Sequence, residues 1–210
     1  LNPNSSEYYL IEVNPRVSRS SALASKASGY PIARVTAKIA VGMALEDIKI
    51  ANTNAAFEPS LDYVIAKLPR FPFDKFASAS NELGTQMKAT GEVMGIGANL
   101  EEALLKGIRS LESGENHIYH PKFNDMTVDE MLEYISKFRS DNIFAIAELF
   151  YHGVSVEKIY ELTQITPYFL QAIKNIVDME ETLKLHVGDA QWLKKAKVMG
   201  FSDKYIAKIL

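Results

Sequence analysis

Residues 12–21 read EVNPRVSRSS, and this stretch carries more information about the chain than any other. It follows residues 8–11, YYLI, whose apolar β-formers predict a strand. Side chains alternate between the two faces of a strand, so Glu12 and Asn14 are expected to point the same way. Pro15 cannot donate a hydrogen bond to a sheet, so we expect strand pairing to end there.

The residue types in this stretch suit the binding of a metal ion and a phosphate. The carboxylate of Glu12 and the amide oxygen of Asn14 are hard ligands of the kind that Mg²⁺ and Mn²⁺ prefer. Arg16 and Arg19 add two forked cations, as an anionic phosphoryl group requires. The combination is typical of phosphoryl-transfer chemistry. From the spacing alone, however, a structural interpretation is the commoner one. In it, Glu12 is only a carboxylate at the end of a strand and Asn14 only forms the turn before Pro15.

A longer run around this stretch resembles a known family. Residues 11–27, IEVNPRVSRSSALASKA, are similar almost letter for letter to the signature of the large subunit of carbamoyl phosphate synthetase. Further stretches that agree with that family are FEPSLDY at 57–63, KLPR at 67–70, MKATGEVMGIG at 87–97, GVS at 153–155 and GFSDK at 200–204. The resemblance therefore covers essentially the whole chain.

The resemblance also implies which part of the large subunit the chain corresponds to. That subunit carries two homologous ATP-grasp units, of which the first makes carboxyphosphate from bicarbonate and ATP and the second phosphorylates carbamate. The NPR at 14–16 followed by SSAL at 20–23 is similar to the first unit. We therefore expect a fragment that holds the end of the carboxyphosphate unit and most of the oligomerisation domain. The Gly-rich loop and most adenine contacts would precede Leu1.

Residue by residue, the resemblance implies roles for the polar side chains of the motif. Glu12 corresponds to the carboxylate that bridges metal ions and approaches the ATP phosphates, and Asn14 corresponds to a metal ligand. Arg16 and Arg19 match positions near the transferred phosphoryl group and its acceptor, which makes them the expected catalytic residues. The implied cofactor is Mg²⁺ or Mn²⁺ with ATP in the full-length subunit, and none is expected to bind tightly to the fragment.

The activity implied by the resemblance is that of an ATP-grasp ligase, the glutamine-hydrolysing carbamoyl-phosphate synthase. It makes carbamoyl phosphate from bicarbonate, glutamine-derived ammonia and two ATP, for arginine and pyrimidine synthesis. The implied partners are a glutamine amidotransferase small subunit and further copies of the chain, bound through the helical domain. Because sites built from several segments lose preorganisation when one is missing, we expect the fragment alone to be inactive. The alternative is a non-catalytic helical oligomerisation or interaction module.

Hydrophobic periodicity predicts a mixed first region, residues 1–115, which the resemblance assigns to the C-terminal part of an ATP-grasp domain. Its predicted elements are a helix at 20–28 ended by Gly29, a helix from Pro31 towards Gly42, a strand at 61–68 closed by Pro69 and Pro72, a hairpin or bent strand pair at 85–96, and a helix that starts at Asn99. Strands and helices together predict an α+β fold for this region.

The second region, residues 116–210, follows a polar joint at 113–116 and is predicted to be an all-α helical bundle, the oligomerisation domain. Beyond Tyr119 no convincing strand pattern occurs. Helix starts are predicted at Thr127, Ser155, Thr166 with Pro167, and Asp189, each followed by apolar residues at helical spacing. We therefore place the domain boundary between Glu115 and Asn116.

Composition narrows the classes of partner. A net charge of −3 gives no reason to expect binding to nucleic acid, and no apolar run approaches the roughly 20 residues of a membrane span. The chain has no cysteine, which excludes disulfides and thiolate metal sites. We expect a cytoplasmic protein that binds neither nucleic acid nor membrane.

Two histidines form a weaker signal. His117 and His120 have the three-residue spacing of a helical metal site. Pro121 disfavours helix at His120, and no convergent carboxylate pattern supports a zinc site. Metal binding here is the less favoured interpretation.

The family-like stretches after residue 56 also contain charged residues, but these residue types alone do not indicate a particular chemistry. Lys88 and Glu92 are interpreted equally as a surface hairpin pair or as site residues. Glu58, Asp62 and Arg70 are interpreted as possible structural ion partners that belong to the fold.

Overall fold

The computed structural model of the chain describes residues 5–10, 13, 15, 16, 18–76 and 78–210. These residues form two compact units, of which the first ends at Leu61 and the second begins at Asp62. The boundary predicted between Glu115 and Asn116 separates two family domains, which are not the same as these compact units. It therefore stays a prediction. No helix in the described ranges combines the length and the apolar character needed to cross a bilayer.

Two helices and a small hairpin make up most of the described part of the first unit. They are α1 (Arg19–Ser28), α2 (Ile32–Ala40), β1 (Lys49–Ile50) and β2 (Thr53–Asn54), with the two strands antiparallel. The predicted end of α1 is confirmed, because Gly29 adopts the left-handed conformation, with φ 72°, that few other residues accept. Val35 of α2 forms a small buried core with Ile48 and Ala55, which flank the hairpin.

The strand predicted at residues 8–11 is wrong in its described part. Tyr8, Tyr9 and Leu10 adopt no regular structure and are 76%, 79% and 80% exposed. Ile11 lies outside the described residues. A high β-propensity makes a strand only where a neighbouring strand accepts its hydrogen bonds, and no described strand pairs with these residues.

The second unit begins with an antiparallel pair of strands. These are β3 (Val64–Arg70) and β4 (Gly91–Gly97), with Val64 opposite Gly97 and Arg70 opposite Gly91. The strand predicted at 61–68 therefore starts and ends later than expected. Pro69 lies inside β3, because a two-stranded ladder leaves one edge of the strand without a partner. The hairpin or bent strand pair predicted at 85–96 is wrong, since β4 is the only strand in that stretch and it pairs with β3 instead.

Helix α3 (Leu100–Ser110) lies directly on this strand pair. Its predicted start is confirmed, because the Asn99 side chain accepts a hydrogen bond from the backbone N–H of Glu102 at 2.8 Å. The helix and β4 approach so closely that a Cβ atom built on Gly95 would lie 1.9 Å from the carbonyl oxygen of Ala103. Only glycine permits this contact between backbones.

The remainder of the second unit is helical, which confirms the predicted order of a mixed region followed by an all-α region. The helices are α4 (Val128–Ile135), α5 (Asn142–Tyr151), α6 (Val156–Thr163), α7 (Pro167–Leu185), α8 (Ala190–Val198) and α9 (Asp203–Ile209). Their buried side chains form one hydrophobic core, and Leu105 and Ile108 of α3 belong to it. Helix α3 therefore packs on the strand pair and shares its core with the bundle.

Side-chain hydrogen bonds confirm three of the four predicted helix starts of this bundle. Thr127 and Glu130 form a complete capping box at the start of α4. Ser155 and Asp189 accept backbone hydrogen bonds at the starts of α6 and α8. Helix α7 begins at Pro167 as predicted, but the Thr166 side chain makes no capping hydrogen bond.

Candidate functional site

The motif at residues 12–21 lies only partly within the described residues. Glu12 and Asn14, the predicted metal ligands, fall outside them, and so does the side chain of Arg19. Arg16 is described and exposed, and the backbone of Arg19 begins α1. The roles of these four residues therefore stay predictions.

The start of α1 is stabilised by the serines of the motif. The Ser18 hydroxyl accepts a hydrogen bond from the backbone N–H of Ser21 at 3.2 Å, and its carbonyl accepts one from Ala22 at 3.2 Å. The first N–H groups of a helix carry partial positive charge that favours a nearby anion. Arg16 thus lies just before a helix terminus whose polarity suits a phosphoryl group.

Two further hydrogen bonds hold this helix in the first unit. The Ser25 hydroxyl of α1 accepts from the backbone N–H of Ile32 at 3.2 Å, where α2 begins. The Tyr30 hydroxyl, in the turn between the helices, donates to the carbonyl of Ala55 at 2.7 Å. These bonds join α1, α2 and the residues after β2. They hold α1 in a fixed position within the first unit.

The charged residues of the later family stretches make structural contacts. The Lys88 ammonium donates to the carbonyls of Ser80 and Glu82, at 3.0 and 2.5 Å, and so closes a loop. Glu92 pairs with Lys67 across the strand pair at 2.6 Å, so the interpretation of Lys88 and Glu92 as partners of each other is wrong.

The structural interpretation of Arg70 is supported. Its guanidinium pairs with Asp74 at 2.7 Å, and hydrogen bonding to Arg70 lowers the pKa of the Asp74 carboxyl. Glu58 and Asp62 have no ion partner among the described residues.

The two histidines considered as metal ligands lie in different environments. His117 is 1% exposed, and neither of its ring nitrogens has a hydrogen-bond partner among the described residues. The Nδ1 atom of His120 accepts from the backbone N–H of Lys122 at 3.1 Å. Within the described ranges no group of three or more His, Asp or Glu side chains could hold a metal ion.

A cluster of polar side chains around one buried carboxylate, which we call the Glu180 cluster, lies in the helical bundle. It comprises Glu180 and Lys184 of α7, Tyr151 of α5 and Tyr205 of α9. Glu180 is only 4% exposed, and its Oε2 atom accepts from the hydroxyls of Tyr151 and, at 2.7 Å, Tyr205. Its Oε1 atom lies 2.9 Å from the Lys184 ammonium. The buried carboxylate therefore has three hydrogen-bond donors, and these contacts join three helices.

Electrostatics keeps both phenols of this cluster protonated. Burial raises the pKa of Tyr151 and of Tyr205, and the Glu180 charge raises each further. Both hydroxyls therefore remain hydrogen-bond donors at ordinary pH. The cluster fixes α9 on α5 and α7, which is a positioning role with no chemical step of its own.

The sequence contains a signal for the burial of Glu180 in the helical spacing of α7. The apolar stripe of α7 includes Ile176, Val177 and Leu183, all of them buried. Glu180 lies three or four residues from each of these, so it falls on the buried face of the helix. A carboxylate at such a position requires donors from neighbouring helices.

His117 lies against this cluster without taking part in it. Its ring stacks on Tyr205 with 3.8 Å between ring centroids, and its Nε2 atom is 3.5 Å from Oε2 of Glu180. Burial, followed by the charge of Arg109, lowers the pKa of His117 from 6.5 to about 3. The contact with Glu180 is therefore one between a carboxylate and a neutral ring, despite a distance that suits an ion pair.

Because His117 is buried in its neutral form, we expect the stability of the folded chain to depend on pH. In the unfolded chain this residue takes up a proton below pH 6.5, whereas in the folded chain it stays neutral down to about pH 3. The unfolded state therefore binds the extra proton, and the free energy of unfolding falls as the pH falls through this window. Between pH 7 and pH 5 we expect a loss of about 2 kcal/mol from this residue, measured by urea unfolding.

Two variants isolate this effect. His117→Phe removes the titrating ring and should reduce the loss between pH 7 and pH 5 by that amount. Gln191→Ala, an exposed change that removes no titrating group, is the control and should leave the pH dependence unchanged. Carboxyls whose pKa is lowered, such as Asp74 and Glu102, titrate below this range. An equal pH dependence in wild type and His117→Phe would contradict the prediction.

Two family models match the chain. Residues 92–210 match the model described as carbamoyl-phosphate synthetase large chain, oligomerisation domain. Residues 1–48 match the model described as carbamoyl-phosphate synthase L chain, ATP binding domain. The first match covers more than half of the chain, and the second contains the motif at 12–21.

Proposed function

The chain belongs to the carbamoyl-phosphate synthetase large-chain family, and from this membership we propose that it contributes both a catalytic motif and a subunit-association domain. The activity is the ATP-dependent synthesis of carbamoyl phosphate from bicarbonate and glutamine-derived ammonia. The motif at 12–21 would serve the step in which bicarbonate is phosphorylated. One observation carries the proposal, namely that a single chain matches both an ATP-binding and an oligomerisation domain of the same family.

The residues of the motif fit the divalent metal and ATP that such a reaction requires. One carboxylate and one amide oxygen, on Glu12 and Asn14, form a donor set suited to Mg²⁺ or Mn²⁺. When bound, that cation neutralises charge on the phosphate oxygens of ATP. Arg16, which precedes α1, and Arg19, its first residue, would orient the phosphoryl group and stabilise its negative charge during transfer.

The catalytic proposal is tested in the complete large chain. Glu12→Gln and Asn14→Asp should each lower bicarbonate-dependent ATP hydrolysis by at least about tenfold, because changes outside the ligand shell alone cost 10- to 100-fold. The measurement is the rate of phosphate release with and without bicarbonate. Glu7→Gln, an exposed change close to the motif, is the matched control and should retain the wild-type rate. Hydrolysis that is unaffected in both motif variants would refute the metal assignment.

A second candidate function is that of an association module alone. It is favoured by the match to an oligomerisation domain over more than half of the chain. Exposed large apolar side chains on the helical region, including Phe138, Tyr168 and Leu185, are also suited to contact with another chain. In this case the 210-residue chain would self-associate without binding ATP.

Two measurements on the chain distinguish these functions. Light scattering across a concentration series should show the molar mass rising from one chain towards two or more. Calorimetric titration with Mg²⁺ and ATP then separates the candidates, since measurable binding favours a residual catalytic site and its absence favours the module. A molar mass of one chain at every concentration would contradict the association role.

The remaining partners follow from the same family membership. We propose that a glutamine amidotransferase small subunit supplies the ammonia and that the protein acts in the cytoplasm. The absence of cysteine is compatible with a reducing compartment.

A further inference from the structure

A groove with an apolar floor lies along α7 and α8 and continues to the start of α3. It consists of two depressions, of about 570 and 390 Å³, which share Met179 and Met199 in their lining. We call it the Met179 groove. Flexible methionine side chains are common on surfaces that bind another chain, because they adapt to its shape.

The floor of the Met179 groove offers apolar area to a partner. Met179 of α7 and Met199, which follows α8, are half-buried and pack against the hydrophobic core with their inner sides. Val198 also lines the groove and is 57% exposed. Covering such side chains with another apolar surface removes them from water and therefore favours association.

One end of the groove is basic. Lys194 and Lys195 of α8 line the larger depression. Neither is paired with a carboxylate among the residues that the structure describes. The Lys195 ammonium lies over the ring of Trp192, 3.8 Å from its centroid. This end therefore presents two ammonium groups that a carboxylate of another chain can approach.

The opposite end is acidic. Glu101 of α3 and Asp178 of α7 line the smaller depression. Asp178 is paired with Lys174 at 2.6 Å, whereas Glu101 accepts a hydrogen bond from the neutral amide of Asn175 at 2.8 Å. Two carboxylates and one ammonium group leave this end with a negative charge.

This order of charges makes the groove complementary to a second copy of itself. A two-fold axis through the apolar floor turns the groove end for end, so that the basic end of each copy meets the acidic end of the other. The two floors then cover each other, and opposite charges meet at both ends. A groove with charges of a single sign would instead repel its own copy.

We propose that the Met179 groove is the surface through which two copies of the chain associate. The inference rests on the proposed function of subunit association and deepens it, because it assigns the surface and its symmetry. Contact between the apolar floors supplies most of the affinity. The charges at the ends fix the antiparallel orientation of the two copies.

The test reverses the charge of one end at a time in the 210-residue chain and measures the dimer dissociation constant by light scattering. Lys194→Glu combined with Lys195→Glu makes both ends acidic, and Asp178→Lys makes both ends basic. Each variant should self-associate at least about tenfold more weakly than wild type, because like charges then meet at both ends. An equimolar mixture of the two variants should regain association, because opposite charges meet again. That recovery also shows that both variants are folded.

A matched control separates this surface from a general effect of charge. Lys204→Glu combined with Lys208→Glu makes the same change in net charge on two exposed lysines of α9 and should stay within about twofold of wild type. Groove variants that associate as tightly as wild type, or that remain separate in the mixture, would overturn the assignment of this surface and leave subunit association standing. A wild-type molar mass of one chain at every concentration would overturn both.

Discussion

Gly95→Ala is expected to destabilise the second unit by about 4 kcal/mol, close to the upper end of single-residue effects. The added Cβ would lie 1.9 Å from the carbonyl oxygen of Ala103 and 2.6 Å from the backbone nitrogen of Gly107. Overpacking usually costs 1–3 kcal/mol because side chains move aside. Here the obstructing atoms belong to the backbone of α3, so relief requires that the helix move away from β4.

Urea unfolding followed by the fluorescence of Trp192, the only tryptophan, measures this loss in the second unit. Gly91→Ala is the matched control in the same strand. A Cβ at Gly91 would approach no atom more closely than 3.8 Å, to the Cβ of Arg70, so we expect a change within about 0.5 kcal/mol. Equal stabilities for the two variants would show that α3 and β4 are not packed as described.

Glu180→Leu should lower the free energy of unfolding by about 3 kcal/mol. The replacement is apolar and of similar size, so it creates little cavity. It removes the acceptor of the Tyr151 and Tyr205 hydroxyls, and each buried donor left without a partner costs about 1–3 kcal/mol. Glu180→Gln keeps an acceptor oxygen and should cost less, about 1 kcal/mol.

Two comparisons make this prediction specific to the cluster. Glu181→Leu changes the neighbouring carboxylate, which is 55% exposed, and should alter stability by no more than about 0.5 kcal/mol. Adding Tyr205→Phe to Glu180→Leu should recover part of the loss, because it removes one unpaired hydroxyl. Purely additive losses in the double variant would contradict the hydrogen-bonding explanation.

The starts of the helices could be predicted from the sequence because the interactions that define them are local. Asn99, Thr127, Ser155 and Asp189 each accept a backbone hydrogen bond from a residue two or three positions later. The left-handed Gly29 that ends α1 is likewise a property of one position. Such signals depend on a few consecutive residues, so the printed chain contains all the information they need.

Strand pairing could not be predicted in the same way. Residues 8–10 have the composition of a strand and form none, whereas Gly91–Gly97, with three glycines among seven residues, pairs fully with Val64–Arg70. The difference lies in the partner, which for β4 is about thirty residues away in the chain. A ladder forms where another strand is available, and no local pattern states where that strand will lie.

For this protein the sequence alone determined family membership, through the motif at 12–21 and its companion stretches, and the positions of most helix ends. Only the tertiary structure decided that Gly95 must be glycine, that Glu180 is buried among two phenols and an ammonium group, and that His117 is neutral. The physical reason is one of range. Caps and turns form between residues a few positions apart, whereas backbone contact, burial and pKa depend on groups that meet only when distant segments pack together.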